Sequence, residues 1–80
     1  MMNQGTKEIG SRAVIKGQTY LNEVSGYYDV VSINKKNKQF FVKIELTKPI
    51  NGSAKKGFSM EINMKDFNQM IERGTFKLQL

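Results

Sequence analysis

Hydrophobic and polar positions alternate with a period of two through the centre of the chain. In residues 39–47 (QFFVKIELT), Phe40, Val42, Ile44 and Leu46 fall on one face of a strand, and Phe41, Lys43 and Glu45 on the other. Residues 27–33 (YYDVVSI) form the strand before it, and Asn34-Lys35-Lys36-Asn37-Lys38 joins the two as a hairpin. Alternation returns at 58–62, with Phe58, Met60 and Ile62 inward, and at 76–80, with Phe76, Leu78 and Leu80 set against Lys77 and Gln79. Between those runs the period changes. Met64, Phe67, Met70 and Ile71 have helical spacing, which predicts a helix over 64–73. Asn63 suits its N-cap, Asp66 its positive end, and Gly74 its left-handed terminator.

Upstream, residues 12–21 (RAVIKGQTYL) predict a first strand broken by a bend at Lys16-Gly17, and the polar residues 1–11 predict a loose leader. Residues 48–57 (KPINGSAKKG) predict a flexible connector. A chain of 80 residues sustains one domain, here 12–80.

The faces of the hairpin constrain its register, because a slip of one residue exchanges them. Placing Ile33 opposite Gln39 brings Val30 to Val42, Tyr28 to Ile44 and Asp29 to Lys43, which keeps apolar with apolar and requires an odd loop of three or five residues. The outer face then carries Tyr27, Val31, Ile33 and Phe41, too much apolar surface to leave in water. A curled hairpin covered on both sides is the expectation. The predicted core is Val30, Val42, Ile44, Phe58, Met60, Ile62, Phe67, Ile71 and Leu78. The element order, a strand, a hairpin, a long loop, a strand, a short helix and a last strand, resembles that of SH3-like small barrels. The expected fold is therefore mainly β, a small five-stranded SH3-like barrel with a short helix before the last strand.

Charge is distributed unevenly along the chain. The formal net charge is +6, and residues 34–56 alone account for it, with seven lysines (35, 36, 38, 43, 48, 55 and 56) against the single acid Glu45. The remaining six basic and six acidic residues cancel. A local positive field of this kind concentrates polyanions. Lysine supplies point charges on flexible stems for phosphates, and Tyr27 and Phe41 share a face on which unpaired bases can stack. The candidate nucleic-acid-binding residues are thus Lys35, Lys36, Lys38, Lys43, Lys55, Lys56, Tyr27 and Phe41. The bland alternative makes Lys35, Lys36 and Lys38 solvated turn residues and gatekeepers against strand aggregation, and Phe41 core on a second face.

Other chemistry finds little support. Histidine and cysteine are both absent, which removes the commonest general base, thiolate metal sites and disulfides. The seven carboxylates are scattered, and no nucleophile is paired with a base. The Gly52–Gly57 segment lacks phosphate-loop spacing. The Met64/Phe67/Met70/Ile71 stripe reads as a packing face. The expectation is a non-catalytic cytoplasmic module, with no cofactor, no metal and no membrane contact, monomeric or homodimeric, that binds DNA or RNA. The alternative is a protein-interaction module, a small regulator or inhibitor of the kind phages and mobile elements encode, docking its lysines on an acidic protein surface.

Overall fold

The computed structural model describes residues 14–80. The elements are β1 (Thr19–Asn22), β2 (Gly26–Lys36), β3 (Gln39–Pro49), β4 (Ser59–Asn63), a helix α1 (Met64–Glu72) and β5 (Lys77–Gln79). The strands form one sheet in the order β4-β3-β2-β1-β5, and the pairs within it are antiparallel. The fold is mainly β with one short helix, as the alternation implied. The leader expected over 1–11 lies outside the described residues.

Two expectations are corrected together. The hairpin turn has an even length, because only Asn37 and Lys38 separate β2 from β3. Parity is kept by a bulge: Val30 pairs with Ile44 and Ser32 with Lys43, leaving Val31 as the extra residue. The proposed pairs Ile33–Gln39, Val30–Val42, Tyr28–Ile44 and Asp29–Lys43 are replaced by Ile33–Val42, Val30–Ile44, Tyr28–Leu46 and Asp29–Glu45. The bulge also turns Ile33 to the core, where it packs against the buried cluster. Far less apolar surface is then left on the outer face, so the sheet needs cover on one side only. Among the described residues the sheet is open, with β4 and β5 as its edges, so the expected SH3-like barrel is not confirmed.

The helix α1 covers this side, and it carries the chain from one edge strand to the other. Asn63 Oδ1 accepts from Lys65 N at 2.8 Å, and Asp66 lies in the first turn. The helix ends in a Schellman motif: Gly74 N donates to Ile71 O, Thr75 N to Met70 O, and Gly74 takes φ 84°. Phe67 is fully buried and meets Tyr20 and Phe76 with ring centres 5.2 and 5.1 Å away.

Val30, Val42, Ile44 and Phe67 are buried as predicted, and Met60, Ile62, Ile71 and Leu78 pack partly buried against them. Val14, Tyr20, Tyr28, Leu46 and Phe76 complete the core. Phe58 departs from the prediction and is 52% exposed. Its carbonyl accepts from Leu46 N, which sets it at the end of the core face that α1 does not cover. The predicted first strand shortens to β1, because Gly17 at φ 94° turns the chain and Val14 enters the core from outside the sheet.

Candidate functional site

The eight candidate residues are distributed along a long hairpin rather than gathered into one patch. β2 and β3 each run for 11 residues. Their neighbours are short: β1 pairs with 26–29 of β2, and β4 pairs with 41–45 of β3. The last stretch of the hairpin, residues 35–40, therefore projects beyond the sheet as a two-stranded ribbon. It carries Lys35, Lys36 and Lys38, and no acidic residue lies within it.

The turn at its tip is unusual in composition. Asn37 and Lys38 have φ of 51° and 67°. A two-residue hairpin turn with both central residues at positive φ matches the twist of the strands, and Asn-Gly is its preferred sequence. Lysine at the second position carries a steric cost of about 1–2 kcal/mol that glycine avoids.

The ribbon has two basic–aromatic faces. Lys35 and Phe40 are paired across the strands, with Lys35 Nζ 5.7 Å from the Phe40 ring centre. Lys36 lies on the other side, 5.6 Å from the Phe41 ring centre, and its ammonium is 3.0 Å from Glu61 Oε1. The hydrogen bond from Lys36 holds the Glu61 carboxyl below its ordinary value; burial opposes this, and the charge of Lys36, with Asn34 and Lys43, adds to the lowering.

Phe40 is the residue that alternation misassigned. Its parity placed it with the core, yet it is 50% exposed because α1 begins short of it. It borders a cleft of about 390 Å³ between the ribbon and the start of the helix, where Lys65 and Asn68 also lie. The amide oxygen of Asn68 is buried there without a hydrogen bond. Only distance from the helix, not periodicity, distinguishes Phe40 from Val42.

The remaining candidates lie elsewhere. Lys43 stands on the outer face opposite Ser32 and Glu61. Tyr27 pairs with Lys48, whose ammonium is 5.7 Å from its ring centre. Tyr27 and Phe41 share the outer face but are separated by about 20 Å of strand at ~3.3 Å per residue. The opposed acids Asp29 and Glu45 lie between them. The outer face is thus divided by negative charge and does not form one stacking platform.

Lys55 and Lys56 belong to the loop after β3, roughly 25 Å of strand from the ribbon tip. That loop is held by hydrogen bonds. Asn51 Oδ1 accepts from Ser53 N and Oγ, Ala54 N donates to Asn51 O, and Gly57 N donates to Leu46 O. Gly57, at φ 93°, and Phe58 together oppose Leu46 as a bulge with glycine in its left-handed position.

Among the described residues no helix is long and apolar enough to cross a membrane. Comparison with protein-family models, with curated proteins and with solved structures finds no match to this chain.

Proposed function

We propose that the protein is a non-catalytic cytoplasmic module that binds nucleic acid through its projecting ribbon. One observation carries this reading: Lys38 occupies a left-handed position that favours glycine, at the tip of a ribbon that also bears Lys35 and Lys36. A strained residue at an exposed tip is a reason to look for function there. A two-stranded ribbon fits the major groove, and lysines placed on both of its faces meet phosphates on either side. Phe40 adds an exposed ring to which an unpaired base can stack. Binding of this kind is dominated by phosphate contacts and tolerates sequence variation.

The test is direct binding of labelled single- and double-stranded oligonucleotides at low salt. Wild-type protein is expected to bind, and a Lys35→Ser/Lys36→Ser/Lys38→Ser variant with an unchanged melting temperature is expected to lose most of that affinity. No binding by wild-type protein at low salt would end the proposal.

A second reading, a protein-interaction module, is favoured by a different observation. Lys55 and Lys56 lie far from the ribbon, and Lys55 lines a cleft with the half-exposed Phe58. Mixed basic and apolar surface suits a protein partner better than a phosphate backbone.

A further inference from the structure

The end of the sheet away from the ribbon carries a cleft of about 410 Å³. Tyr28, Leu46, Ala54 and Phe58 line it together with Ser25, Ser53 and Lys55. It lies on the core face where α1 gives no cover. The Tyr28 and Ser25 hydroxyls are 2.9 Å apart and Ser53 Oγ donates to Asn51 Oδ1, so that these hydroxyls are already engaged. Both rims are ordered: Asn22 Oδ1 accepts from Val24 N and Ser25 N, Ile50 N donates to Ser25 O, and the bulge at Gly57 fixes Phe58. Val24 and Ile50, 73% and 53% exposed, flank Ser25, one beside it in the chain and one through its amide. Lys55 lines the cleft and Lys56 is next in the chain, and no acidic residue occurs between Glu45 and Glu61.

We propose that this cleft is a docking site for a large apolar side chain carried by an acidic peptide segment of another protein. The proposal rests on the second reading above and is independent of the ribbon. The cleft falls in the size range of small-ligand sites and can take one aromatic or branched aliphatic side chain. Val24 and Ile50, flanking Ser25, extend the contact beyond one small molecule to neighbouring residues of a chain. Lys55 and Lys56, with no acid beside them in the loop, specify the sign of that chain's charge and steer its approach. A buried anchor surrounded by complementary charge is the usual distribution of energy in such an interface.

The test is selection from a random peptide library on the immobilised full-length protein. Recovered peptides are expected to be acidic with one aromatic or aliphatic anchor. Replacing that anchor with alanine should weaken binding roughly tenfold or more. Ala54→Phe, which fills the cleft, should have a similar effect while the melting temperature holds. Should Ala54→Phe unfold the protein, Lys55→Ser/Lys56→Ser serves as the second variant and should weaken binding several-fold with a flatter salt dependence. Lys35→Ser/Lys36→Ser/Lys38→Ser should bind the same peptides as wild type. Acidic peptides recovered without an anchor would overturn the cleft but keep the second reading. The absence of acidic enrichment would overturn both. Self-association abolished by Ala54→Phe would assign the cleft to a second copy of the chain and also overturn the proposal, as would binding to anionic lipid vesicles that needs Val24 and Ile50.

Discussion

Lys36 of β2 reaches past β3 to Glu61 of β4, with Nζ 3.0 Å from Oε1 and the Phe41 ring beneath the ammonium. The pair takes one of the ribbon's three lysines partly out of play for an external anion. Glu61→Gln should release it, strengthening oligonucleotide binding and steepening its salt dependence. The pair also predicts a pH effect. The Glu61 carboxyl is held below its ordinary value in the folded protein, so its stabilisation is present above the unfolded carboxylate range and is lost as pH falls through the folded value. Wild-type protein should melt slightly above Glu61→Gln at pH 7. The gap, small for an exposed pair, should close on acidification below about pH 4. A gap that widens in acid would contradict the assignment.

Lys38 tests the link between strain and function. Lys38→Gly relieves the left-handed lysine and completes the preferred Asn-Gly turn, and should raise stability by about 1 kcal/mol. The same variant should bind nucleic acid more weakly than wild type. Opposite signs for stability and binding are the expected outcome of denaturant melts and oligonucleotide titrations on one preparation. Unchanged binding would make the turn lysine incidental.

Gly26 is the glycine the fold can least replace. It sits at φ 134°, and a Cβ there would collide with the Lys48 carbonyl oxygen and crowd Pro49. Gly26→Ala combines positive φ, about 1–2 kcal/mol, with overpacking against backbone, about 1–3 kcal/mol. A loss of at least about 2 kcal/mol in urea unfolding is expected, and a neutral variant would show that this part of the hairpin is loosely held.

The two phenylalanines expected in the core should now behave differently. Phe67→Ala removes a fully buried ring that joins Tyr20 to Phe76, and should cost about 3–5 kcal/mol. Phe58→Ala removes a half-exposed wall of the far cleft and should cost under about 1 kcal/mol while reducing peptide binding. Equal losses in thermal melts would contradict the placement of the helix.

What the sequence disclosed, and what it hid, follows from the range of each signal. Strand faces and the helix with both its caps are local patterns. Asn63, Gly74 and the alternation from Val42 to Leu46 were legible because each rests on neighbours within a turn or a strand. The register was not. A bulge at Val31 and an even turn at Asn37–Lys38 satisfy parity as well as an odd loop does, and nothing in residues 30–32 marks the difference. That one residue decided whether Ile33 lay inside or outside, and so whether a barrel was needed. The charge window was visible, but its division into a ribbon and a distant loop depends on how far β3 extends. Phe40 and Phe58 share the parity of core residues and stay exposed because a helix of nine residues covers only the middle of the face.

On the proposed function, the ribbon's lysines engage phosphates. This is tested most directly by the slope of log binding constant against log salt for wild type, Lys35→Ser/Lys36→Ser/Lys38→Ser and Lys55→Ser/Lys56→Ser. Each engaged lysine contributes about 0.7 to that slope on a single strand and about 0.9 on a duplex. The ribbon variant should therefore lose roughly two on a single strand, whereas the loop variant should keep the wild-type slope. An unchanged slope in the ribbon variant, or a larger loss in the loop variant, would contradict the account.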